Sequence, residues 1–163
     1  MKKLRSSLVI LFCLWLGYSA SAQESKFKAL FIYKFAEYIE WPNGSGKIVV
    51  GVVGKTDVQK QLSTFAASKE NIDVISIAGA NDVSKCQIIF VPSSKNKMIP
   101  EFADKIGGNS VLLVSGDSEM VHTYADIGFY LESGKLRFLI SPKSIEHKKM
   151  TPSSKLLSLG KNI

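Results

Sequence analysis

A single α/β domain with a mainly parallel sheet is the fold class this sequence predicts, and three observations carry it. Short apolar runs bounded by glycine, proline or serine recur along the chain: KIVVGVVG, CQIIFVP and SVLLVS. Between them lie segments whose apolar residues fall at helical spacing, and strands that alternate with helices pair in parallel with helices on both faces. Towards the C-terminus the alternation stops, and IGFYLE and KLRFLIS stand side by side as an antiparallel hairpin. The predicted architecture is a three-layer sandwich with that hairpin at one end of the sheet.

The chain opens on a basic head, Lys2, Lys3 and Arg5, followed by the apolar run LVILFCLWLGY and then ASAQ. These are the parts of a secretory signal peptide, with Ala20 and Ala22 at the small positions and the cut expected between Ala22 and Gln23. The apolar run falls short of the roughly 18 residues that span a bilayer. Cys13 lies inside that run and not at the cut, so a lipid anchor is not expected. The expected division is 1–22 signal peptide and 23–163 a single α/β domain. Losing the three basic residues lowers the formal charge from +7 to +4. The remaining lysines are scattered among Asp and Glu, a solvated surface with no nucleic-acid signal.

The domain begins with KALFIYKFAEYIEWP, a helix apolar on two stripes. Phe31, Phe35 and Tyr38 are expected to face the sheet. Ile32, Ala36 and Ile39 are then left for neighbouring loops, a twin subunit or a partner. Trp41-Pro42 is expected to fix the helix end. After a turn at Asn43-Gly44-Ser45-Gly46 comes the strand KIVVGVVG, apolar enough to be buried on both faces. Thr56 and Gln59 form a capping box that opens a helix through Val58, Leu62 and Phe65. NIDVISIA alternates as a strand, and Asp82 caps one turn before CQIIFVP. Ile99, Phe102, Ala103 and Ile106 make a helical stripe that Gly107-Gly108 ends. SVLLVS follows, with Asp117 capping a short helix. Ser133-Gly134 is the hairpin turn. Ser141-Pro142 and Thr151-Pro152 each read as a cap followed by proline at the first helical position, giving two short terminal helices.

No catalytic, metal-binding or cofactor residue stands out. GVVGKTD ends a strand and opens a helix, but a phosphate-binding loop needs glycine where Val49 stands. His122 and His147 each lack a second ligand at metal spacing. Ser115, in SGDS, lacks the glycines of a nucleophile elbow. Cys86 is left without an intrachain partner, so no disulfide is expected, and its place at the head of an apolar strand favours burial. The chain is read as non-enzymatic.

Three stretches taken together resemble the YfiR family of periplasmic proteins: KALFIYKFAEYIEWP, KCQIIFV and DIGFYLESGKLRFLISPKSIEHKKMTPSSKLLSLGKNI. They follow in matching order over nearly the whole domain. The matching residues are Phe31, Tyr33, Phe35, Trp41 and Pro42, then Cys86, Gly128, Phe129, Arg137, Phe138 and Ile140, and finally Ser154, Lys155, Leu156 and Leu157. The resemblance implies an α/β sandwich without catalytic activity that represses a membrane-bound diguanylate cyclase by binding its periplasmic sensor domain, limiting cyclic-di-GMP and biofilm. Members of that family commonly carry further cysteines, and Cys86 has no such companion here, so redox control of that kind is not expected.

Two readings follow. In the first, the chain is an interaction protein whose partner is the sensor domain of an inner-membrane signalling protein, met through the aromatic helix or the closing hairpin with its helix. A homodimer is compatible with the same apolar excess. In the second, it is a small-molecule-binding module feeding a histidine kinase or another receptor. Gly54-Lys55, Pro92-Ser93-Ser94 and Ser115-Gly116-Asp117 would then line a crevice at the carboxyl ends of three strands.

Overall fold

Ile48–Val53 forms the strand around which the sheet is built, because five of its six residues are buried and neither face is polar. In the computed structural model, which describes residues 21–42, 44 and 46–163, this strand is β2. The basic head and apolar run of the expected signal peptide lie outside the described residues, as do Asn43 and Ser45 of the first turn. The chain enters as a helix whose described part covers residues 21–38, here α1, and continues into a two-residue strand β1, Ile39–Glu40. After β2 come α2, Asp57–Ala66, and β3, Ile72–Ile77. Then follow β4, Ile88–Val91, α3, Ile99–Ile106, and β5, Leu112–Ser115. The hairpin is β6, Ile127–Glu132, and β7, Lys135–Ile140. The tail holds α4, Pro142–His147, β8, Thr151–Pro152, α5, Ser154–Leu159, and β9, Lys161–Asn162.

The main sheet has seven strands in the order β3-β2-β4-β5-β6-β7-β9. Pairing is parallel from β3 to β6, antiparallel between β6 and β7, and parallel again between β7 and β9. A separate antiparallel ladder joins β1 to β8, with Ile39 opposite Pro152 and Glu40 opposite Thr151. Period-two alternation sends the strand side chains into two cores. One holds Val50, Val52, Phe90, Phe129 and Phe138 under α1, α2, α4 and α5. The other holds Val53, Ile89, Val91 and Leu113 under α3 and the 3-10 turns at Ala80–Lys85 and Ser118–His122. These are the three expected layers.

Local signals behave as their chemistry requires. Thr56 Oγ1 accepts the Gln59 N–H at 3.1 Å and opens α2, so the strand-to-helix turn at Gly54-Lys55 is a capped turn. Asp117 caps Ser118–His122 by accepting the Glu119 N–H at 3.0 Å. Ser133 and Gly134 both take positive φ, 51° and 73°, the conformation of the two-residue turn whose twist suits a hairpin.

Three expectations need correction. Ile32, Ala36 and Ile39 are buried, at 0%, 8% and 4% exposure, while Phe31 and Phe35 pack on the sheet as expected and Tyr38 is only partly covered. The second stripe is therefore core, and Phe35 belongs with it. The β1–β8 ladder follows directly on the C-terminal end of this helix. Thr151-Pro152 is not a helix cap but the strand β8; α5 starts later, with Ser153 Oγ accepting the Leu156 N–H at 3.3 Å. Cys86 also precedes β4, whose ladder begins at Ile88, and closes the 3-10 turn before it.

Sequence reading did not anticipate a polar clasp in the interior. Asp126 is fully buried and Lys148 nearly so. The carboxylate accepts from Lys148 Nζ at 2.7 Å, from the Leu113 N–H at 2.7 Å and from Ser144 Oγ. Lys148 Nζ also donates to the Val111 carbonyl. Three neighbouring elements, β5, α4 and the turn into β6, are locked by one carboxylate.

Candidate interaction site between the first helix and the hairpin

Aromatic rings fasten α1 to the hairpin. Phe35 lies 5.1 Å from Phe138 and Phe31 lies 5.3 Å from it, both edge-on, and each is 6.1 Å from Phe129. Phe90 of β4 meets Phe129 at 6.3 Å. Rings in such edge and offset arrangements gain about 0.5–1.5 kcal/mol per pair beyond their buried area. Gly128 lets the strand pass beneath Ser118–His122, since a Cβ there would sit 2.6 Å from Val121 Cγ2 and 2.7 Å from the Asp117 carbonyl.

Towards the hairpin tip this cover is incomplete. Phe27 is 43% exposed, Leu30 38% and Leu131 59%. Phe27, Phe31, Leu131 and Leu136 line an open cleft of about 630 Å³, with Glu24, Lys135 and Arg137 at its margin. Lys28 borders it, paired to Glu24 at 2.6 Å and lying 6.0 Å over the Phe129 ring. Leu131 is on this face because alternation from Ile127 and Phe129 carries it there. Phe27 and Leu30 were legible as the backward continuation of the aromatic stripe. Leu131 was missed, although the same alternation would have found it.

The other motif residues separate by what they touch. Tyr33 Oη donates to Glu37 Oε1 at 2.7 Å, and Lys34 Nζ reaches Glu37 Oε2 at 2.7 Å. Burial pushes the Glu37 carboxyl up, but the bonds from Lys34 and Tyr33 outweigh it and hold it below its ordinary value. Trp41 is half-buried, its Nε1 donating to the Ala36 carbonyl at 3.3 Å, and Pro42 beside it is exposed. Two smaller clefts, about 420 and 110 Å³, flank the indole. Cys86 is 2% exposed, and burial pushes its thiol up to about 11.

At the C-terminus Lys155 lies 4.7 Å over the Tyr38 ring, Leu156 is buried, and Ser154 is exposed. The Ser153 N–H donates to the Tyr38 carbonyl at 2.9 Å. The first and last motifs are thus one structural unit. Arg137 is half exposed and pairs loosely with Glu132, Nε to Oε2 3.8 Å.

The loops at the carboxyl ends of β2, β4 and β5 close on one another. Ser93 Oγ donates to the Gly116 carbonyl at 2.8 Å, Asn96 Nδ2 to Asp117 at 2.9 Å, and the Lys95 stem covers Gly54. Among the described residues no group of three or more His, Cys, Asp or Glu could hold a metal ion, and no helix is long and apolar enough to cross a membrane.

Comparison with known proteins agrees with this architecture. An ABC domain from Streptococcus pneumonia, solved in complex with L-Trp, superposes with a TM-score of 0.52 at 14% identity, covering 72% of this chain and 55% of that one. This chain therefore spans about half of that structure, and the likeness is one of fold. No curated protein matches the chain in sequence. Members of the YfiR/HmsC-like family are periplasmic regulators of diguanylate cyclase signalling that act through a partner membrane protein. Over residues 25–161 the chain matches that family, and it belongs to it.

Proposed function

We propose that this chain is exported with residues 1–22 removed and restrains a membrane-bound diguanylate cyclase by binding its periplasmic sensor domain, without chemistry of its own. Family membership over residues 25–161 is the observation that carries this reading. The cleft between α1 and the hairpin supports it, because it leaves Phe27 and Leu131 uncovered in one place. Grouped exposed apolar side chains of this kind mark interaction surfaces. A repressor acts only by binding the inactive state of its partner better than the active one, so an apolar cleft that fits one arrangement of the sensor suffices.

Two measurements test this together: cyclic-di-GMP in a strain lacking the gene, and co-purification of a cyclase with the tagged periplasmic protein. Raised cyclic-di-GMP with a captured cyclase is the expected result. Unchanged cyclic-di-GMP with no cyclase captured refutes it.

A second reading, a small-molecule module feeding a histidine kinase or another receptor, draws on one observation. Asn96 Oδ1 is buried without a hydrogen-bond partner beside the loops after β4 and β5. A buried polar atom without a partner calls for an explanation. Thermal-shift screening against amino acids, nucleotides and peptidoglycan fragments tests it, and no stabilisation across the set removes it.

A further inference from the structure

Among the described residues, β7 is covered on its outer side only where β9 pairs with Leu139 and Ile140. From Lys135 to Arg137 that edge has no ladder partner, while Gly160 already lies against Phe138. The Ile140 carbonyl faces outward, since it accepts the Ile163 N–H at 3.0 Å. Alternation then turns the backbone N–H and C=O of Leu136 outward too. An edge with unpaired backbone groups is a template for an added strand.

The side chains along this edge specify what kind of strand. Leu136 points into the apolar cleft beside Phe27, Phe31 and Leu131. Alternation sets Lys135 and Arg137 on the other side of the strand from Leu136, although both also border the cleft, and register puts Lys161 of β9 on their side as well. In β6, β7 and β9 the one acid is Glu132. A second copy of this chain fits poorly, because antiparallel self-pairing would set Lys135 and Arg137 against their own counterparts, and like charges directly opposite destabilise.

We propose that the open edge of β7 receives an extended segment of the membrane partner as an added strand, with residues alternating between apolar and acidic. The apolar residues enter the cleft and the acidic ones meet Lys135, Arg137 and Lys161. Main-chain bonds supply affinity in this mode and the alternating side chains supply selectivity. The inference rests on the proposed function for the identity of the partner, while the strand chemistry stands on the edge.

The test uses protein purified from the periplasm and two fluorescent decapeptides, one alternating Val and Glu, the other Val and Lys, followed by anisotropy. The Val-Glu peptide should bind and the Val-Lys peptide should bind at least about tenfold more weakly. Leu136→Pro removes an outward N–H that the hairpin does not use and should weaken Val-Glu binding by about tenfold or more. Lys135→Glu with Arg137→Glu, a surface change, should reverse the preference between the peptides. Absence of binding, equal binding, or a preference that the charge reversal leaves unchanged overturns the proposal. In cells the two ideas separate. If deleting the gene leaves cyclic-di-GMP unchanged, the regulatory reading fails and the peptide result still judges the edge. If deletion raises cyclic-di-GMP and the charge-reversed protein restores it fully, the edge proposal fails and regulation stands.

Discussion

Asp126 and Lys148 meet in the interior as an ion pair, Nζ to Oδ2 2.7 Å, with side-chain exposures of 0% and 8%. Breaking such a pair from one side leaves a buried charge uncompensated. Asp126→Ala should therefore cost about 3–5 kcal/mol, because it strands the ammonium and also deprives the Leu113 N–H and Ser144 of their acceptor. Lys148→Met should cost less, since the carboxylate keeps two of its donors. Denaturant midpoints of the two variants decide this, and equal or reversed losses count against the described network.

Gly51 and Cys86 are a second coupled pair. A Cβ at residue 51 would stand 2.6 Å from the Cys86 Sγ, so Gly51→Ala should destabilise by about 1–3 kcal/mol through overpacking. Adding Cys86→Ala should recover part of that loss in a double-mutant cycle, the remainder belonging to Ile77, which also crowds the site.

The same thiol, pushed up to about 11 by burial, should react with Ellman's reagent at pH 8 only at the rate of local opening. Because its folded value lies above the unfolded one, its contribution to stability is intact below pH 9 and is lost as pH rises towards 11. Rapid stoichiometric labelling of the native protein would show the thiol to be accessible.

Ser133 holds positive φ without glycine's freedom. Asn tolerates this conformation better, so Ser133→Asn should stabilise the hairpin by a few tenths of a kcal/mol, and Gly134→Val should destabilise it by about 1–2 kcal/mol. Thermal melts of both variants check the signs.

The strands were legible because buried β-segments leave a compositional trace: IVVGVV, IIFV and LLVS are apolar throughout and end in turn residues. Thr56, Asp117 and Ser133-Gly134 were legible because caps and tight turns are local chemistry. What escaped is non-local. Lys148 sits in the string EHKK, which reads as a solvated face, and its acceptor is 22 residues away. Thr151-Pro152 has the letters of a helix cap, yet pairing with Ile39 and Glu40 claims it for a strand. The two stripes of α1 are equally apolar, and only the docking of that helix decides between them. Ile32 is core. Ile32→Asp should abolish folding, while Trp41→Ala, at a half-buried site, should lower the melting temperature and leave a folded protein.

Cellular cyclic-di-GMP tests the central claim most directly. A strain lacking the gene is complemented with the wild-type protein or with Phe27→Lys and Leu131→Lys together, two exposed positions whose replacement spares the core. The wild type should return cyclic-di-GMP to the parental level, and the double variant, folded by its melting curve, should leave it high. A double variant that restores cyclic-di-GMP as well as the wild type would contradict the account.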